Sequence, residues 1–133
     1  MPNRVQWDPR FSVGNQTIDD QHKTILAQCN ALGDCIEDDN AAHEQRFMEI
    51  FATLKTLARE HFAAEEALLA GNNCPKLEEL RNEIEEFHFL EAEIVTTDNF
   101  DRQELQTFLC LWWTGHIVGN VRDLRPWLDQ ASA

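Results

Sequence analysis

Tyrosine is absent from this 133-residue chain, and glycine (5) and proline (4) are sparse. No stretch is serine-rich or repetitive, so the sequence offers no linker, second domain or low-complexity tail. No apolar run approaches membrane-spanning length. The opening residues, Met1-Pro2-Asn3-Arg4-Val5-Gln6-Trp7, hold no apolar signal-peptide region, which makes the cytoplasm the expected compartment. The four cysteines, Cys29, Cys35, Cys74 and Cys110, lack C-x-x-C spacing and are expected as free thiols. Basic residues are scarce: 11 Lys and Arg stand against 24 Asp and Glu, for a formal charge of −13. Such a surface repels phosphate backbones, which makes nucleic acid and anionic membrane poor partners. Its simplest use is solubility.

What is present suits one globular domain spanning 1–133. Apolar residues make up 43% and charged residues 26%, within the usual range for a chain that buries its own core. Nothing alternates with period two, and the apolar pattern is helical instead. A first helix is expected over 17–38, opened by Thr17-Ile18-Asp19-Asp20 as a capping arrangement with an acidic first turn. Its inward stripe is Ile18, His22, Ile25, Cys29, Leu32 and Ile36. Asp38-Asp39-Asn40 should stop it, with Asn40 able to cap the next helix.

A second helix is expected over 41–70, with Phe47, Ile50, Leu54, Ala58, His61, Glu65 and Leu68 inward, closed by Gly71-Asn72-Asn73. Pro75 should open a third helix over 75–95, with Leu77, Leu80, Ile84, Phe87, Glu91 and Ile94 inward. After the turn Thr96-Thr97-Asp98-Asn99, a fourth helix is expected over 100–124. Leu105, Phe108, Trp112 and His116 lie on its stripe, and Pro126 ends or kinks it before a tail to 133. The fold class is therefore all-α: an up-down-up-down four-helix bundle preceded by an arm, residues 1–16, whose Trp7, Phe11 and Val13 can pack.

Four polar residues break the apolar stripes: His22, His61, Glu65 and His116. His61 and Glu65 are one turn apart on one face. An inward His-x-x-x-Glu on one helix, with a His from each of two others, is how bundles build metal sites. Imidazole and carboxylate suit iron, zinc, manganese and similar ions. Each residue also has a plainer use, as a core group hydrogen-bonded to its neighbours, and spacing alone leaves both open. Burying a carboxylate with neither cation nor donor costs several kcal/mol. His43 and His88 are expected at the surface, and Glu78, Glu79, Glu83, Glu85 and Glu86 as the wet face of the third helix.

Longer motifs sharpen this picture. The arm reads Trp7-Asp8-Pro9-Arg10-Phe11-Ser12-Val13-Gly14, and the first helix carries Ile18-Asp19-Asp20-Gln21-His22-Lys23. The second carries His61-Phe62-Ala63-Ala64-Glu65-Glu66, and the fourth Leu111-Trp112-Trp113-Thr114-Gly115-His116-Ile117. These segments resemble the bacterial hemerythrins over nearly the whole chain, matching W-x-x-x-x-S-V-G, I-D-x-Q-H-K, H-F-x-x-E-E and W-L-x-x-H-I.

That family binds two irons with five histidines and two bridging carboxylates and takes up O2 at one iron. The resemblance implies that His22 and His61 hold the O2-side iron, that Glu65 is one bridge, and that His116 is one of three histidines on the other iron. It also exposes a departure. The third-helix H-x-x-x-H falls on Leu80 and Ile84, in Leu80-Arg81-Asn82-Glu83-Ile84-Glu85-Glu86-Phe87, and the second bridging carboxylate falls on Val121. Three of seven ligands are thus apolar, all around one iron, as if that pocket had been refilled with hydrocarbon.

Reversible O2 binding in the family draws one electron from each iron, so this chain is not expected to be a normal oxygen carrier. The leading expectation is one metal, iron or zinc, on His22, His61, Glu65 and His116, with O2 or another small ligand as a partner of that ion. A metal-free sensory or interaction bundle is the alternative. Another is a di-iron centre using His88, Asn120 or Asp123 as substitutes. No nucleophile–base pair or phosphate loop suggests an enzyme. Trp112 is expected in the core, and Trp113 either in the family's O2 pocket or against a neighbouring helix.

Overall fold

A computed structural model describes residues 4–36, 41–96 and 101–131, with side chains to 128. The expected stop at Asp38-Asp39-Asn40 and the turn residues Thr97, Asp98 and Asn99 lie outside the described residues. The elements run α1 (Gln16–Asp34), α2 (Ala41–Gly71), α3 (Leu77–Ile94), α4 (Arg102–Asp123) and α5 (Arg125–Ala131), after a 3-10 turn at Pro9–Phe11. The protein is all-α, a helical bundle with α1 packed most closely on α2 and α4. Among the described residues no helix is long and apolar enough to cross a membrane.

Local chemistry sets the ends. Asn15 caps α1, its side chain accepting from the Ile18 amide at 3.0 Å. The helix thus starts just before Thr17, because the Asn15 carbonyl supplies the cap. Asp19, freed from capping, is buried and accepts from Ser12 Oγ at 2.6 Å and the Val13 amide at 2.9 Å. Those bonds pin the arm to α1. Asn30 ties it again, exchanging bonds of 2.9 and 2.7 Å with the Val5 backbone.

The end of α2 is a Schellman motif. Asn73 takes the left-handed conformation (φ 55), its amide bonds Ala70 O at 3.3 Å, and the Cys74 amide bonds Leu69 O at 2.9 Å. Pro75 then lies in a turn rather than opening the helix, and α3 begins at Leu77. Asp101 caps α4, accepting from the Glu104 amide at 3.1 Å. Residues expected as a tail form α5. Pro126 sits in its first turn, where no amide donor is required.

The inward faces differ from expectation on α2 and α4, and of the expected α3 stripe Leu80 and Phe87 are buried while Leu77, Ile84, Glu91 and Ile94 are half-buried. On α4, Trp113 is the fully buried tryptophan, and Trp112 is half-buried. Each helical step turns a side chain by about 100°, and the buried face runs through Leu105, Leu109, Trp113, Ile117 and Asn120. On α2, Leu69 is buried in place of Leu68. All four cysteines are free and buried.

The core has two apolar parts. One gathers Ile25, Phe47, Leu54, Phe62, Phe87, Leu109, Trp113 and Ile117. The other gathers Val13, Ile18, Leu69, Leu80 and Leu124, with Ile84 and Val121 packed against it. Along α1, α2 and α4 the chain passes from one cluster to the other through the polar residues His22, His61, Glu65 and His116. A polar layer is therefore held between two hydrocarbon ones.

Candidate metal centre

The structure brings together all four residues that interrupt the stripes. One donor atom from each of His22, His61, Glu65 and His116 lies within 4.8 Å of the other three, and all four residues are buried. His61 Nε2 is 3.1 Å from His22 Nε2, 3.3 Å from His116 Nε2 and 2.7 Å from Glu65 Oε2. His116 Nε2 is 3.0 Å from the same Glu65 oxygen. Donors bound at about 2.0–2.2 Å to a single ion stand roughly 3.0–3.5 Å apart, and these separations are close to that spacing.

The far nitrogens explain why the near ones converge. His61 Nδ1 stands 2.8 Å from Gln21 Oε1, so it donates and leaves a lone pair on Nε2. His116 Nδ1 is in contact with a carboxylate oxygen of Glu83 and does the same. His22 Nδ1 is buried without a partner. With the His61 and His116 rings neutral, their Nε2 atoms turn lone pairs toward one point together with Glu65 Oε2; His22 Nε2 joins them there, and the Asn120 amide approaches His116 Nε2 at 3.3 Å. His61 Nε2 has one in-plane position but three polar neighbours within 3.3 Å. A cation at their centre gives every lone pair a partner, so the donor set fits a divalent metal.

The electrostatics carry the same demand for positive charge. Burial alone would raise the Glu65 carboxyl, yet His116 and His61 hold it well below the usual carboxylate range. Burial alone would lower His116, but Glu65 and Glu83 overcome it and push the imidazole up to about 9. In the metal-free chain a proton on His116 stands in for the cation. Burial, then the neighbouring His61 and His116, push His22 down to about 2, so it stays neutral. Burial likewise lowers His61, against the pull of Glu65.

Aromatic rings wall one side. Trp112 stacks on the His116 ring at 5.0 Å, and Trp113 packs edge-on to His61 at 5.6 Å and parallel to Phe62 at 5.3 Å. On the other side lie the apolar residues of the second cluster. Leu80 is 4% exposed, and Ile84 and Val121 are half-buried. A cleft of about 40 Å³ bordered by Glu65, Glu83 and Asn120 lies beside Leu80.

Two neighbours of the cluster, Glu83 and Gln21, escaped sequence reasoning, which offers a third, Asn120, only as a substitute ligand. Glu83, expected on the wet face of α3, is only 40% exposed at its side chain and reaches His116. Gln21 directly precedes His22 in its motif, a signal that could have pointed to it. Asn120 Nδ2, one turn beyond His116, is 3.3 Å from its Nε2. Of the proposed substitutes, Asn120 lies against the cluster, whereas His88 is exposed and packs on Phe62 and Phe87, and Asp123 pairs with Arg122 at 2.9 Å.

Comparison with known proteins gives a consistent result. The family model "Hemerythrin HHE cation binding domain" matches residues 13–128. A hemerythrin-like protein of Naegleria gruberi is 34% identical over 73 residues, covering 55% of this chain. The aligned part spans about half of that relative, 54% of its length. A bacteriohemerythrin of Clostridium acetobutylicum is 25% identical over 125 residues, covering 88% of this chain and 95% of its own. No solved structure matches.

Proposed function

Because this chain belongs to the hemerythrin HHE cation-binding family, we propose that it holds a single metal ion on His22, His61, Glu65 and His116, and not the two irons of an oxygen carrier. The observation that carries this reading is the convergence of four buried donors beside a cluster that contains Leu80, Ile84 and Val121. Those three side chains offer no lone pair to a second ion. Repacking them with hydrocarbon avoids burying imidazoles that no metal would use.

Iron bound there would supply one-electron redox chemistry with open coordination positions, and zinc with all four donors would supply a closed structural tie. The protein's own residues bind and orient: Gln21 and Glu83 fix the rings, and Trp112, Trp113 and Phe62 exclude water. A small ligand such as O2 would act at the ion, in a binding role rather than an enzymatic one.

Metal content per chain tests the proposal. After loading with ferrous iron or zinc and removal of excess, one ion per chain is expected. The aerobic ferrous-loaded protein should lack the strong visible bands of an oxygenated di-iron centre. Two irons per chain, or those bands, would overturn it.

A metal-free sensory or interaction bundle has one observation in its favour. The four residues bond among themselves, and the His116 imidazole, pushed up to about 9, can supply the missing positive charge as a proton. Elemental analysis of protein purified without added metal separates the two. A stoichiometric metal rejects the metal-free bundle.

A further inference from the structure

Building on the single-metal reading, we propose that Glu83 is the positioning residue of the centre: its carboxylate takes the Nδ1–H of His116 and thereby turns the Nε2 lone pair toward the ion. In this chain α3 offers Leu80 and Ile84 where the resembling family has histidines, so it gives the ion no ligand of its own. Glu83, adjacent to Ile84 at the depth of the polar layer, is how α3 reaches the metal.

The reason lies in the two ends of one ring. A neutral imidazole carries one N–H, and the nitrogen that holds it cannot ligate. At His116 Nε2, Glu65 Oε2 stands 3.0 Å away and would accept that proton, closing the ring to metal. At Nδ1, Glu83 competes for the same proton. Two carboxylates thus pull on opposite nitrogens, and Glu83 is the one whose success opens the site. The His116 side chain is fully buried while that of Glu83 is 40% exposed, so the carboxylate reaches inward from the protein's edge. His61 has an amide, Gln21, in the equivalent place. A carboxylate is the stronger acceptor and raises the donor strength of its ring.

Cobalt(II) is the probe, titrated into the full-length chain against a competing chelator while its visible bands are recorded. Glu83→Leu should bind on the order of 10- to 100-fold more weakly than the unaltered chain, with shifted bands. Glu83→Gln keeps an oxygen that can accept the Nδ1–H and should recover part of the affinity and the unaltered band positions. The metal-free Glu83→Leu chain should melt lower than the unaltered one, because the buried His116 Nδ1–H loses its acceptor, and Glu83→Gln should restore part of that loss. Unchanged affinity and bands in Glu83→Leu would overturn the proposal. So would a loss of affinity not relieved in Glu83→Gln, which would assign Glu83 to packing. Failure of the unaltered chain to take up cobalt would instead reject the single-metal reading, and this proposal with it.

Discussion

His61 Nε2 and Glu65 Oε2 stand 2.7 Å apart across one turn of α2, and the same nitrogen lies within 3.3 Å of the other two histidines. His61 is therefore the shared neighbour of the other donors. His61→Ala removes a ligand, leaves Gln21 without its ring partner, and opens space between His22 and His116. Metal content should fall below about a tenth of an equivalent. A bound ion at a thousandfold excess over its Kd stabilises a fold by about 4 kcal/mol, and the variant should lose that metal-dependent rise in melting temperature. Calorimetry with and without zinc checks both.

The opposed shifts of His22 and His116 predict how the metal-free chain responds to pH. His22, lowered from 6.5 to about 2, contributes stability that is present above pH 6.5 and is lost as pH falls toward 2. His116, raised from 6.5 to about 9, contributes stability that is full below pH 6.5 and is lost as pH rises through 9. Chelator-treated protein should melt highest between these limbs, at about pH 6–7. Thermal melts across pH 4–10 measure it. A monotonic profile would contradict the assignment.

Metal binding should show a linked dependence. The His116 proton must leave before Nε2 can ligate, so affinity should climb by about tenfold per pH unit from near neutrality and level off above about 9. About one proton should be released per ion at pH 7.5. Titration calorimetry in buffers of differing ionisation enthalpy counts that proton. A zinc affinity independent of pH would show that His116 is not displaced.

Much of this arrangement was legible in the sequence because it follows helical periodicity. His22, His61, Glu65 and His116 are each placed inward by the apolar residues three or four positions away, and backbone geometry then brings them to one depth. The Trp112–Trp113 pair was not decidable this way. Two adjacent large apolar residues fit neighbouring faces equally well; both touch Phe62, and it is Trp113 that the bundle buries fully. Glu83 was hidden for a different reason. Its bond to His116 joins α3 to α4, and an acidic run reads as solvent-facing whichever member turns inward. The α5 helix was masked by Pro126, which ends one helix and starts another with equal ease.

Leu80 should matter to stability but not to metal content. It is 4% exposed and packs in the cluster of Leu69 and Leu124. Leu80→Ala leaves a cavity there and should cost on the order of 2–5 kcal/mol. Denaturant unfolding of the metal-free chain measures the loss, and zinc stoichiometry should stay at one. A fall in stoichiometry would mean that Leu80 supports the ion directly.

The strongest test of the single-metal reading runs in the opposite direction. Leu80→His, Ile84→His and Val121→Asp together restore the ligand set that the resemblance implies, at positions packed in one apolar cluster beside Glu65 and His116. Without iron, the triple variant should be less stable, because each unpaired buried polar group costs about 1–3 kcal/mol. With ferrous iron it should bind two ions per chain, regain that stability and develop O2-dependent visible bands. Glu83 enters the outcome as well. Its hold on His116 was available when α3 carried no histidines, and it remains compatible with a second ion because it engages Nδ1 and leaves Nε2 free. If the folded triple variant still binds a single iron, then Leu80, Ile84 and Val121 are not what excludes the second one. The cause would have to lie in the spacing between α3 and α4.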